Sequence, residues 1–340
     1  MPSSVQRRLF LATAVLLGGA AFAPAADPAA RAADPKAAAA KDDSRFFPDD
    51  CQYVVVVRID ALANSEAFKL LKKEVPDAVH DDSAEKMGIA FADLDQLTMA
   101  AHEKDQVGIV QTKQAIKAAD VQANLKKGDP KMEFKETKVG DFTVYEGKSS
   151  APGGAAPTFC VADDHHMLIA DKADVLSPIL KRAKAPELSD GLKTAMKTVD
   201  PSAAVTVAGG SKKIFSGQLG PDVEKFFSKA TGVAVSFAVA TDVDVSAVVI
   251  CPDKDAANEA KDGVKKAADA YKAMVTFFAK DLPAEVADDF NVDPKVDGTN
   301  VTFKKTVKVA PIVKFIKEQA KKNPPPPPKD KDKGTDKDKA

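Results

Sequence analysis

The stretch VAVSFAVATDVDVSAVVI, Val233 to Ile250, settles the fold class. Val233, Val235, Phe237 and Val239 alternate with Ala234, Ser236, Ala238 and Ala240. After Thr241-Asp242 the alternation resumes at Val243, Val245, Ala247 and Val249. A period of two, interrupted by a turn and resumed, predicts two antiparallel strands. One face of the pair is bulky and the other small, so helices are expected on the bulky face.

The flanks supply those helices. Ala257, Ala260, Val264, Ala267, Tyr271, Met274 and Phe278 recur at alternating spacings of three and four. That is one apolar stripe of an amphipathic helix, with Asp253 or Asp255 as its cap. Strands FNVDPKV and NVTFKKTV flank Asp297-Gly298, a hairpin signal. Pro311 then opens a final helix carrying Ile312, Phe315, Ile316 and Ala320. Upstream, DPSAAVTVAGG holds a short strand at Val205 and Val207, followed by a helix with Val223, Phe226 and Phe227.

The same order reads once more, earlier in the chain. Tyr53 to Val57 is an unbroken apolar run, fit for a strand covered on both faces. Asn64 or Ser65 caps a helix with Ala67, Leu70, Leu71 and Val75 on its buried stripe. A second helix is expected over Ser83 to Leu94, then strands around Gln96–His102 and Gln106–Gln111. Thr112 is the expected cap of a helix carrying Ala115, Ala118, Val121 and Leu125, ended by Gly128. Strands MEFKETKV and DFTVYEG join at Gly140-Asp141, in the slot that Lys295–Phe303 fills later. Asp50-Cys51-Gln52 aligns with Asp200-Pro201-Ser202. A recurrence at about 150 residues is far longer than a solenoid repeat and points to a duplicated domain.

The expectation is therefore an α+β fold of two tandem repeats, 45–199 and 200–322. Each runs strand-helix-strand-strand-helix-hairpin-helix, with antiparallel sheets and helices packed mainly on one face. The alternative is a composite domain in which both repeats share one continuous sheet. The first repeat carries an extra element, PTFCVADDHHMLIADKADVLSPILKRA. Asp163, Asp164, His165 and His166 read as a four-residue hairpin loop between apolar strands. Asp171 is the expected cap of the helix after it, with Pro178 bending that helix or delaying its start.

The ends read differently. Arg7 and Arg8 precede the apolar LFLATAVLLGGAAFA, and Ala23-Pro24-Ala25 offers a cleavage site, so residues 1–25 read as a signal peptide. RRLFL resembles the twin-arginine export signal, with Gln6 where Ser or Thr is usual; an ordinary Sec signal reads equally well. The apolar run is too short for a membrane span, and no transmembrane segment is expected in the mature chain. Residues 26–44, rich in Ala, Pro and charge, read as a flexible linker, and 323–340 as a disordered Pro/Lys/Asp tail.

Composition narrows the chemistry. Hydrophobic residues at 44% suffice for a core, but with 6% aromatics and no Trp, Val, Ala, Leu and Phe must fill it. The 49 basic and 50 acidic residues balance, so there is no basic surplus for nucleic acid. Cys51, Cys160 and Cys251 contain no Cys-x-x-Cys pair for structural zinc. Two of them pairing in an oxidising compartment is left open. Neighbouring residues of a strand point to opposite faces, so His165 and His166 need a partner elsewhere to hold a metal. His80, in VHDDS, is the one that suggests itself. Gly147-Lys148-Ser149 lacks the first glycine of a phosphate loop, since Phe142 stands there. Ser83 and Lys86 lack the companion motifs of penicillin-binding enzymes. Ala208–Ile214, AGGSKKI, reads as a glycine turn into a helix more readily than as an anion cradle. No catalytic, cofactor-binding or metal residue is assigned, and no cofactor is expected.

Phe46–Leu71, FFPDDCQYVVVVRIDALANSEAFKLL, resembles the opening of exported proteins of unknown function common in planctomycete-type bacteria. Pro48-Asp49-Asp50, Val54 to Val57, and Ser65 with Phe68-Lys69 carry the likeness; Cys51 departs from it, where Ala or Thr is commoner. The resemblance implies envelope export and a duplicated α+β structure, and no chemistry. The functional expectation is an exported, periplasmic or extracellular, non-catalytic binding or structural component of the envelope, partnered by an envelope protein or polymer. The alternatives are a carrier of an apolar small molecule, using space between sheet and helices, and a metal-dependent protein using His80, His165 and His166.

Overall fold

The computed structural model describes residues 43–75, 87–102, 105–149, 157–210, 228–278, 286, 288 and 291–322, without the side chains of 271, 274–278 and 320–322. The strands are β1 (Tyr53–Arg58), β2 (Leu94–His102), β3 (Asp105–Thr112), β4 (Glu133–Val139), β5 (Phe142–Lys148) and β6 (Thr158–Asp163). They continue as β7 (His166–Ala170), β8 (Val205–Gly209), β9 (Gly232–Val239), β10 (Val243–Ile250), β11 (Lys295–Asp297) and β12 (Asn300–Val307). The helices are α1 (Ile59–Asn64), α2 (Glu66–Glu74), α3 (Ala118–Gly128), α4 (Ala173–Lys181), α5 (Asp190–Thr198), α6 (Lys254–Phe278) and α7 (Val309–Lys322). Single 3-10 turns occupy Asp43–Phe46 and Phe91–Asp93.

All twelve strands join one antiparallel sheet, in the order β11-β12-β10-β9-β8-β1-β2-β3-β7-β6-β5-β4. The fold is α+β, and the continuous sheet is the arrangement adopted. The two halves of the chain meet where β1 pairs with β8, Val55 opposite Val207. The quoted stretch is the β9–β10 hairpin, in the register its alternation demands: Val243 faces Val239, Val245 faces Phe237, and Val249 faces Val233. The tight turns at Gly140 and Gly298, both at φ 60°, close the β4–β5 and β11–β12 hairpins at the two ends of the sheet. Alternating Lys and Glu along the outermost strand β4 discourage further strand addition.

Because a strand alternates its side chains, β1 serves two cores at once. Val55 and Val57 join Val205, Phe237 and Val245 beneath Ala67 and Leu71 of α2 and Ile312 and Val313 of α7. On the same bulky face α6 lays Ala257, Ala260, Val264 and Ala267 on Val249, Val301 and Phe303, and α3 lays Val121 and Leu125 on Val110, Phe159 and Met167. Val54 points the other way, with Ala100, Ile109 and Leu168, under Leu176 and Leu180 of α4, Leu192 of α5, and Phe46 and Phe47. Helices therefore lie on both faces, because the opposite face of β1, β2, β3 and β7 is also apolar.

Several local expectations are corrected. Residues 91–93 form a 3-10 turn and Leu94 already begins β2, so the helix expected over 83–94 does not reach its end; 83–86 lie outside the described residues. Thr112 ends β3, and its hydroxyl donates to the Gln114 carbonyl; α3 starts six residues later without a side-chain cap. Asp171 does not cap α4, whose N-cap is Lys172 without a side-chain bond, and Pro178 sits within that helix. The last helix starts at Val309, before Pro311, and Asp242 from the β9–β10 turn accepts its first amide hydrogen bond at 3.1 Å. Ser65 and Asp253 cap as expected, accepting from Phe68 N at 3.1 Å and Ala256 N at 2.7 Å. The segment expected as a signal peptide (1–25), the helix expected around Val223, Phe226 and Phe227, and the tail 323–340 lie outside the described residues.

Candidate functional site: a buried histidine between two carboxylates

The β6–β7 connection is a two-residue turn, Asp164-His165, in place of the expected four-residue loop. Asp163 and His166 are thereby drawn into the ladder as a facing pair, next to a bulge between Val161 and Asp163. Parity then decides the fate of the adjacent histidines. His166 shares its side of β7 with Leu168 and Ala170, all buried, and faces the core under the N-terminal 3-10 turn. His165 stays in the turn, its Nδ1 3.0 Å from the Thr112 carbonyl.

The His166 imidazole is only 7% exposed and lies between two acids. Its Nδ1 is 2.7 Å from Asp163 Oδ1, and its Nε2 is 3.4 Å from Asp43 Oδ1. The second contact is an ion pair without hydrogen-bond alignment, and Nε2 donates to no acceptor among the described residues. The ring packs on Phe46, with centroids 5.7 Å apart. Asp43 is itself buried, its side chain 6% exposed, and its other oxygen accepts from Thr98 Oγ1 and Gln96 Nε2, both at 3.1 Å. Asp163 accepts from the His165 amide at 2.9 Å and binds Arg45 at 2.5 Å. Arg182, just past α4, donates to Asp49 at 2.6 Å and to the carbonyls of Arg45 and Phe47 at 2.9 and 2.5 Å.

The electrostatics follow from this geometry. The Asp43 carboxylate is the largest influence on His166; with Asp163 it outweighs burial and holds the imidazole pKa above its ordinary value. Burial opposes ionisation of Asp163, but the His165 amide, His166 and Arg45 prevail and hold its pKa below the usual carboxylate value. Both shifts favour a protonated imidazole beside the Asp163 carboxylate. It is a charged clasp joining the 3-10 turn to β2, β6 and β7.

The other polar features stand apart. His102 Nδ1 is 2.8 Å from the Asp50 carbonyl at the rim of an open groove of about 540 Å³. The groove lies at the strand ends beside the junction of the two halves, and Asp50, Gln52, Glu187, Ser189 and Asp190 line most of it. Cys51 also lines it, but its thiol is buried, donates to the Tyr53 carbonyl, and is pushed up to about 11 by desolvation. Burial pushes Cys160 up to about 11 as well and raises Cys251, and all three cysteines are free thiols. His80, Ser83 and Lys86 lie outside the described residues, as do residues 211–214 of the AGGSKKI segment. Ser149, next to Lys148 at the end of β5, donates to Asp129 at 3.0 Å. Among the described residues no group of three or more His, Cys, Asp and Glu is arranged to hold a metal ion.

The sequence alone puts His166 in a loop tip and Asp43 at the end of a flexible linker, and so does not bring them together. One signal for His166 was present: if Met167 and Ile169 cover one face of β7, then His166, Leu168 and Ala170 must share the other. No signal marked Asp43, which lies 123 residues earlier in the chain.

No protein-family model and no curated protein matches the chain. Among solved structures, crystal form III of TP0453 is similar with a TM-score of 0.46 and 9% identity, over 81% of this chain and 97% of that one. Crystal form IV gives 0.45 and 10% identity over 80% and 95%, and crystal form I gives 0.45 and 8% identity over 81% and 96%.

Proposed function

We propose that the protein is an exported, non-catalytic binding or structural component of the cell envelope. One observation carries the non-catalytic part: His166, the histidine that meets two acids, is used to fasten one part of the chain to another. Its ring nitrogens face carboxylates; Thr98 and Arg45 donate to those carboxylates, and the terminal nitrogens of Arg182 donate to Asp49 and to the Arg45 and Phe47 carbonyls, while Arg182 Nε has no partner among the described residues. The thiols are buried and held protonated, which removes the other usual nucleophile. Export is supported by the basic, apolar and small-residue order of residues 1–25 and by the resemblance of 46–71 to exported planctomycete-type proteins. The two halves derive from one duplicated unit. The outward orders β1-β2-β3 and β8-β9-β10, each ending in a glycine-turn hairpin, support this, with β6–β7 as the insertion in the first half. The groove is open to solvent and about half of its lining is polar, so it does not enclose an apolar molecule.

The test is fractionation of cells producing the tagged full chain, with mass spectrometry of its N-terminus and cross-linking in intact cells. The expected product lacks residues 1–25, resides in the envelope fraction, and gives a discrete cross-linked adduct that weakens when 323–340 are deleted. An unprocessed chain in the cytosol, or no adduct with either form, refutes the proposal.

A further inference from the structure

The structure assigns residues 43–49 a second role: we infer that they are a strap, latched over the apolar face of β1, β2, β3 and β7 by charged His166 and released as that ring loses its proton. The strap has an apolar body and polar fastenings at both ends. Phe46 and Phe47 are buried in the same core as Val54, Ile109, Leu168 and Leu180. At one end Asp43 and Arg45 engage His166 and Asp163; at the other Asp49 engages Arg182. A short segment has few backbone bonds of its own. Phe47 N donates to Ser44 within the turn, and sheet pairing starts with Gln52 N to the Ala101 carbonyl. Its attachment therefore depends on these side chains.

The groups around His166 come from every element packed on it. The 3-10 turn brings Asp43 and Arg45, and β6 brings Asp163. Strand β3 places neutral Gln111 opposite it, and β2 brings neutral Gln96 and Thr98 to Asp43. Arg182 binds the strap's carbonyls. With the ring protonated, the buried Asp43 charge has a cation 3.4 Å away. With the ring neutral, Asp43 keeps Thr98 and Gln96 but is left buried without a counter-charge, an unfavourable state. Opening the strap returns it to water.

The sign follows from linkage. The folded pKa of His166 is raised. Its contribution is complete below the open-state value of about 6.5 and disappears as pH rises through the folded value. Opening therefore grows on the alkaline side, by at most about tenfold for each pH unit separating the two values.

The test is amide hydrogen exchange of the full chain between pH 6 and 9, corrected for the intrinsic rate. Protection of the Phe47 amide is expected to fall with rising pH while Val55 in β1 stays protected. The fall should follow the His166 ring titration read by NMR, persist in His102→Gln, and vanish in His166→Gln, whose side chain cannot be charged. Phe47 protection that is flat with pH, or that falls equally in His166→Gln, overturns the strap. Should His166→Gln not fold, the wild-type comparison decides alone: a fall whose midpoint differs from that of the His166 ring refutes the inference.

Discussion

Gly191→Ala sets local preference against tertiary packing, and the two predict opposite signs. Gly191 is the second residue of α5, behind the Ser189 cap that accepts from Leu192 N at 3.2 Å. Replacing a helical glycine with alanine ordinarily stabilises by up to about 1 kcal/mol. Here the added Cβ would lie 1.8 Å from the Thr231 carbonyl oxygen, 2.9 Å from its carbon and 3.1 Å from the Gly210 oxygen. All three are backbone atoms, so no rotamer change relieves the clash. Thr231 is itself tied to the sheet through its amide, 2.8 Å from the Ile250 carbonyl. The helix must back away from 1.8 Å to at least 3.0 Å. Leu192 and Ala195, both 0% exposed, move with it. A gap of about 1 Å already forfeits a quarter to a half of a contact's dispersion energy, and overpacking typically costs about 1–3 kcal/mol. Because every clashing atom is backbone, the upper end of that range applies, and subtracting the propensity gain leaves a net destabilisation of about 2 kcal/mol. Urea unfolding followed by circular dichroism measures it. Gly140→Ala is the companion: no atom lies within 4 Å, but φ is +60°, so its cost of about 1–2 kcal/mol comes from backbone conformation alone. A Gly191→Ala protein as stable as wild type, or more stable, refutes the close docking of α5 on the β8–β9 end.

The remaining predictions concern thiols, caps and acid. The native protein should react with a thiol reagent at pH 8 far more slowly than the unfolded chain, because Cys51 and Cys160 are held near 11 and all three cysteines are buried; three fast equivalents before denaturant is added would contradict this. Ser65→Ala removes the hydroxyl that accepts from Phe68 N and should cost about 1 kcal/mol in the same urea assay, whereas Ser65→Asp should retain most of it. Asp163 contributes stability above its ordinary pKa of about 3.9, which is lost as pH falls through its lower folded value. Urea midpoints of Asp163→Asn should therefore decline less between pH 5 and 3 than those of wild type, and parallel curves would show that Asp163 carries none of the acid dependence.

The strands were legible because burial on one or two faces writes a short-range pattern. The alternation at Val233–Ile250 and the apolar run at Tyr53–Val57 reappear as β9, β10 and β1, and Gly140 and Gly298 close the hairpins they announced. Caps were legible where competitors were few, at Ser65 and Asp253, and misread at Thr112 and Asp171, whose surroundings are set by strands rather than helices.

Two matters belonged to the tertiary structure. The pairing of β1 with β8 joins segments about 150 residues apart, and each strand is equally well patterned for a separate sheet; its open edge is satisfied only in the folded whole. The clasp is likewise non-local. A histidine beside an aspartate is ordinary in sequence, and it becomes a buried charged latch only because a two-residue turn sets the parity of β7 and the N-terminal turn brings Asp43 over it. Periodicity records which way a side chain faces along its own strand, whereas the energy of a buried charge depends on which distant group arrives to oppose it.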